Sequence, residues 1–112
     1  MKRGEIYFVD LGPPFGRESG GTCPVVVVSN DVYNLYPFVV IVVIGTDTAS
    51  APSATGVVVA ASESGAPNDI HFFSNRIRTL DPSRFSGGPA GVVPPELLDA
   101  LIVKLKDYLD IP

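Results

Sequence analysis

Eleven glycines and eleven prolines divide this chain of 112 residues into segments too short for most helices. Between those breaks lie runs of Val, Ile, Phe and Tyr, residues that suit a pleated, half-buried surface. Glu5–Asp10 reads as a strand. Pro24–Ser29 is continuously apolar, the pattern of a central strand covered on both faces, and Phe38–Ile44 reads the same way. Gly56–Ala61 and Asp69–Phe73 add two more strands, with Arg76–Leu80 as a candidate continuation of the last. Leu11–Thr22 is a long Gly/Pro loop and Thr46–Thr55 a mobile loop of small or polar residues. Turns are expected at Gly65–Asn68 and Asp81-Pro82, and Arg84–Gly91 is weakly specified. Asn30-Asp31 can cap one helical turn through Tyr33-Asn34, stopped by Pro37. The chain carries no repeat and no linker.

The last segment changes period. Leu97, Leu98, Leu101, Ile102, Leu105, Tyr108 and Leu109 fall on one helical stripe, with Asp99, Lys104, Lys106 and Asp107 opposite. Pro94-Pro95 and Glu96 suit the first turn, where proline is tolerated and an acid matches the helix dipole. Many short strands and one terminal helix predict a single domain over 1–112. The class is mainly β (α+β), a small, strongly bent β-barrel closed by that helix.

The formal net charge is −4, with eight Lys and Arg against twelve Asp and Glu, so bulk attraction to nucleic acid is disfavoured. The distribution is uneven. Lys2, Arg3, Arg17, Arg76, Arg78 and Arg84 are cations of the first loop and the strand regions, whereas Glu96, Asp99, Asp107 and Asp110 load the C-terminal segment. A local basic rim on an acidic body follows. Charged residues make up 18% of the chain, below the soluble average of about 25%. Part of the apolar surface therefore calls for a partner, most simply a second copy.

One cysteine excludes an intrachain disulfide and fits a reducing cytosol. Glu5 and Asp10 interrupt any secretory h-region after Met1-Lys2-Arg3, and the apolar runs fall short of the roughly 20 residues of a membrane span. A cytoplasmic protein away from the membrane is expected. One His and one Cys far apart give no metal-ligand spacing. Neither a phosphate-cradling P-loop nor a nucleophile elbow is present, so no cofactor is expected.

The most specific stretch is Gly4-Glu5-Ile6-Tyr7-Phe8-Val9-Asp10-Leu11, followed by Gly16-Arg17-Glu18-Ser19-Gly20-Gly21-Thr22-Cys23-Pro24 and Val25-Val26-Val27-Val28-Ser29-Asn30-Asp31. It resembles the opening of the MazF/PemK/Kid toxins, small ribonucleases of type II toxin-antitoxin systems. Arg76-Ile77-Arg78-Thr79-Leu80-Asp81 is similar to a second landmark of that family. The resemblance implies an SH3-like barrel with a C-terminal helix, a homodimer, and a cognate antitoxin. It also implies metal-independent, sequence-specific cleavage of single-stranded RNA.

On the resemblance, Thr46 is the hydroxyl that donates to the scissile phosphate. Glu18 with Gly20 and Gly21 borders the RNA site, where Arg3, Asn30, Arg76 and Arg78 are further RNA-contact candidates. The family usually has an arginine where this chain has Cys23, and the Kid-like branch has an arginine and an aspartate where Phe73 and Asn75 stand here. A thiol cannot hold phosphate oxygens bidentately. Three compensations are open: Arg17 swinging into the vacated place, Glu18 as a desolvated base, or His71 as a proton shuttle. Cys23 itself is a nucleophile candidate of lower rank. The alternative is a degenerate member that binds an antitoxin or another macromolecule without cutting RNA. A third option, a peptide-binding SH3-like module, would need an exposed groove of Tyr7, Tyr33 and Tyr36.

Overall fold

The computed structural model describes residues 1–35, 38–48 and 53–112. Six strands form one antiparallel, curled sheet: β1 (Glu5–Asp10), β2 (Thr22–Val27), β3 (Val40–Thr46), β4 (Gly56–Val59), β5 (Ile70–Leu80) and β6 (Gly91–Val92). Their order is β4-β5-β3-β2-β1-β6. Two four-residue helices, α1 (Asp31–Asn34) and α2 (Ala61–Ser64), interrupt the strands, and α3 (Pro95–Tyr108) closes the chain. The result is a half-barrel with a C-terminal helix, the class the sequence predicts.

Alternation along the strands makes two cores. Ile6, Val26, Val43, Ile70 and Phe72 point to one face and pack with Leu98, Leu101 and Leu105 of α3. Tyr7, Val9, Val25, Val27, Val42, Ile44 and Leu80 fill the opposite face, with Cys23 and Phe85 packed against them. A period of two puts alternate residues on opposite faces, so the all-valine run of β2 feeds both cores at once.

Several boundaries differ from expectation for local reasons. β3 starts at Val40 rather than Phe38, whose side chain is 91% exposed, and it runs on to Thr46. The Pro37 stop and residues 49–52 of the expected Thr46–Thr55 loop lie outside the described residues. β4 ends at Val59 because Ala61–Ser64 turns into α2. Asp69 accepts from the Ala61 amide at 2.8 Å, and Gly65 ends that turn in the left-handed region. β6 forms inside a stretch with little strand composition, because β1 offers it a free edge at Glu5 and Ile6. Tyr7 is buried while Tyr33 is exposed, so no tyrosine groove of the peptide-binding kind forms from these two; Tyr36 lies outside the described residues.

β5 is a single strand of 11 residues with two partnerships. Its first half pairs with β4 on one side (Phe72↔Val57, His71↔Val58) and with β3 on the other (Phe72↔Gly45, His71↔Thr46), and its second half pairs with β3 alone (Ile77↔Val43, Arg78↔Val42). Between Val43 and Gly45 the β3–β5 register shifts from Ile77 to Phe72. The segment Phe73–Arg76 therefore bulges opposite Ile44, and a bulge re-aims side chains that a regular ladder would fix.

Candidate functional site

At the end of the sheet where β1 runs out, Asp10 pairs with Thr22 and Val9 with Cys23. β2 pairs with β3 through Val25↔Ile44, and this register carried on by two residues sets Cys23 against Thr46. Thr46 in turn pairs with His71, and His71 with Val58. Cys23, Thr46 and His71 therefore form one row across neighbouring strands, on the face opposite α3.

The Leu11–Thr22 loop leads into this row at Cys23. Its ends are tied by Leu11 N–H to Gly21 C=O at 2.9 Å and Gly21 N–H to Gly12 C=O at 2.7 Å. Gly21 adopts φ +71°, the left-handed region that favours glycine. Gly20 serves a different end: a Cβ there would meet the Pro14 Cα at 2.8 Å. It is required by packing inside the loop, and that close approach to Pro14 accounts for the glycine without any phosphate contact.

Arg17, Glu18, Ser19, Ile44 and the stretch 75–78 line a cleft of about 520 Å3. Arg76 enters it from the bulge, with its guanidinium 4.4 Å above the Phe73 ring and Nη1 donating to Ser19 Oγ at 3.3 Å. The buried His71 ring stacks on the same Phe73 at 4.4 Å between centroids. Arg78 is half-buried and faces Val42. Arg17 and Glu18 are exposed on the rim.

Cys23 is half-buried and its Sγ donates to the Gly20 carbonyl at 3.4 Å. Burial pushes its thiol up; the Arg76 guanidinium pulls it down and Asp47 pushes it up, with burial the largest of the three influences. The thiol is thus neutral near pH 7, a weak nucleophile that carries no charge to a phosphate. Thr46 Oγ1 lies within 2.8 Å of Thr48 Oγ1 and accepts from the Thr48 amide at 3.2 Å, a turn at the strand end that leaves Thr46 half-buried.

Two of the proposed RNA contacts are not brought to this cleft. Arg3 donates through Nη1 to the Val28 carbonyl at 2.6 Å, and its amide donates to Asp31 at 2.7 Å. Asn30 caps α1, accepting from the Val32 amide at 2.8 Å. Both groups sit past the opposite ends of β1 and β2 from Cys23, where they fasten the chain entry to α1. Ser19 and Phe73 are the site residues that sequence reasoning missed as cleft architecture. Their roles come from the bulge and the loop closure, and neither leaves a periodic signal. Among the described residues no group of three His, Cys, Asp or Glu gathers at metal-binding spacing, and no helix is long and apolar enough to cross a membrane.

A curled antiparallel sheet with a terminal helix and a cleft bordered by three arginines defines a small half-barrel protein. Comparison with known proteins makes the class specific. The profile of the PemK-like, MazF-like toxins of type II toxin-antitoxin systems matches residues 2–109, and the chain belongs to that family. It is 36% identical over 87 residues to Endoribonuclease EndoA of Bacillus subtilis, covering 77% of this chain and 75% of the relative. It is 38% identical over 85 residues to Endoribonuclease MazF of Staphylococcus saprophyticus, covering 75% and 71%. A mycobacterial endoribonuclease solved in complex with its cognate antitoxin superposes with a TM-score of 0.76 at 26% identity, covering 100% of this chain and 95% of that one. MazF of Deinococcus radiodurans shares the fold, with a TM-score of 0.83 at 22% identity over 99% of this chain and 97% of that one.

Proposed function

We propose that this chain is a growth-inhibiting toxin that cleaves single-stranded RNA at a short, defined sequence without a metal ion. In this reading it acts in the cytoplasm as a homodimer and is held inactive by a cognate antitoxin protein. The observation that carries the reading is the Thr46 hydroxyl at the end of β3, two residues beyond Ile44, which lines a cleft bordered by Arg17, Arg76 and Arg78. Cleavage of this kind needs a base for the 2′-hydroxyl proton, an acid for the leaving 5′-oxygen, and donors for the charge on phosphorus. A short hydroxyl and nearby guanidinium groups are suited to the last of these roles.

The same cleft supports the antitoxin part of the proposal. An acidic segment lying between the Leu11–Thr22 loop and the end of β3 would meet Arg17 and Arg76 and so cover the RNA path. The homodimer is supported by exposed apolar side chains at one side of the sheet, namely Val32, Tyr33, Leu35, Phe38 and Val39. Such a patch favours burial against a second copy.

The test is incubation of purified protein with a long transcript in EDTA, followed by mapping of the cut sites. Cutting at a recurring sequence is expected, and Thr46→Ala is expected to lower the rate about 10²–10³-fold. Intact RNA after long incubation at high protein concentration overturns the nuclease proposal and leaves a partner-binding member of the family.

A further inference from the structure

We infer that Arg76, held against the ring of Phe73, supplies the positive charge at the scissile phosphate that the side chain of Cys23 cannot. This rests on the ribonuclease reading above. The row Cys23–Thr46–His71 fixes where a phosphate gripped by Thr46 would lie, and the neighbour of Thr46 on the β2 side is a neutral thiol. A cation must reach that place from another element.

Three arginines border the cleft, and the structure separates them. Arg78 faces Val42, four residues from Thr46 along β3 and so about 13 Å away at the backbone. Arg17 on the loop and Arg76 on β5 are both exposed, so their contacts decide between them. Arg76 alone among the three is fixed on two sides, by the Phe73 ring at 4.4 Å and by Ser19 Oγ at 3.3 Å. It is also the cation whose field acts on the Cys23 thiol. Its position follows from the bulge: the β3–β5 register shift leaves Phe73–Arg76 without β3 partners, Gly56 and Thr55 hold Phe73 and Ser74 on the other side, and the Arg76 guanidinium reaches Ser19 of the loop.

In the reaction the 2′-oxygen bonds to phosphorus, its proton leaves to a base, the bond from phosphorus to the 5′-oxygen breaks, and that oxygen gains a proton. Arg76 keeps its own protons throughout. It donates hydrogen bonds to the non-bridging oxygens, whose charge grows in the transition state. A donor already oriented before substrate arrives needs little reorganisation, which is where such stabilisation is largest. Phe73 is then a positioning residue, acting through Arg76 by the attraction between its ring face and the cation.

The experiment is a rate cycle on the full chain with a long transcript in EDTA. Arg76→Ala is expected to lower cleavage about 10²–10³-fold. Cys23→Arg on that background is expected to recover at least about tenfold by returning a guanidinium to the row, whereas Cys23→Arg alone gains nothing because two like charges then compete for one place. Phe73→Leu is expected to slow kcat about 3- to 30-fold with KM little changed, and Phe73→Tyr to keep the rate. An Arg76→Ala protein that cuts at the wild-type rate, or one that Cys23→Arg fails to restore, overturns the inference.

A second measurement is independent of turnover. Cys23 is the single thiol of the chain, so its alkylation by iodoacetamide against pH reports its own titration. Removing Arg76 is expected to move that titration to higher pH, and an unmoved titration overturns the inference. If the wild type leaves RNA intact, the ribonuclease reading falls by itself, and the thiol titration still decides whether Arg76 faces Cys23.

Discussion

Truncating Leu101 tests whether the two cores are energetically separate. Leu101 is 1% exposed and joins α3 to Ile70, Phe72, Val57 and Val59. Leu→Ala removes the outer carbons of the side chain, a transfer loss of about 2.4 kcal/mol at about 0.8 kcal/mol per buried carbon. The cavity left under a helix fastened at several points adds to this, so about 3–4 kcal/mol is expected. For a chain of this size about 4 °C is lost per kcal/mol, which predicts a fall in Tm of about 12–16 °C. Val103→Ala, at a position 66% exposed on the same helix, is the control and is expected within about 0.5 kcal/mol of wild type. Thermal unfolding followed by far-UV circular dichroism reads both. Cleavage per folded molecule is expected to be unchanged at low temperature, because Cys23 and Thr46 lie on the face away from α3. A fall of less than about 4 °C, or an equal fall for Val103→Ala, would refute the reasoning that α3 seals a tightly packed core.

Tyr7 carries a pH prediction. Burial, the hydrogen bond to Glu5 at 2.9 Å and the Glu5 charge push its phenol up from 10.0 to about 12. The folded state favours the protonated ring, so that stabilisation is full below pH ~10 and is lost as the pH rises toward ~12, by about 3 kcal/mol in all. Denaturant unfolding of wild type and Tyr7→Phe across that range is expected to converge as the pH rises, and a constant difference would contradict it. The fully buried Ser74 hydroxyl has no hydrogen-bond partner among the described residues. Ser74→Ala is therefore expected to be neutral or to stabilise by about 1 kcal/mol, and a clear loss in denaturant midpoint would argue for a hidden partner. Asn30→Ala is expected to cost about 1 kcal/mol through the lost cap of α1 while leaving RNA cleavage per folded molecule intact. A selective loss of cleavage would place Asn30 on the RNA path instead.

Much of the fold was legible because local chemistry and tertiary structure agree. Glu5–Asp10 and the α1 turn capped by Asn30 are where composition and capping put them, and the stripe from Leu97 to Tyr108 is helical as its spacing requires. The elements that escaped depend on partners distant in sequence. β6 exists because β1 has an open edge, and α2 because Asp69 holds the amide of Ala61. The site divides in the same way. Arg17, Glu18, Thr46, Cys23, Arg76 and Arg78 could be named from residue type and family resemblance, yet which arginine is held against Phe73 and Ser19 could not. That choice is set by a register shift and a ring contact, which are relations between strands. Arg3 and Asn30 are RNA-contact candidates from the sequence. Both are occupied by backbone carbonyls and amides at the start of α1.

The dual partnership of β5 has a consequence for how this surface can change. Phe73 pairs with Gly56 and the buried Ser74 donates its amide to the Thr55 carbonyl at 2.8 Å, which leaves Asn75 and Arg76 as the stretch outside both ladders, where one residue gained or lost need not disturb the pairings on either side. The flanking ladders act as two clamps with slack between them. Altering the length of that slack would swing the guanidinium to another azimuth while the hydrophobic interior stays as it was, so the electrostatics of the cleft can be retuned without rebuilding the scaffold.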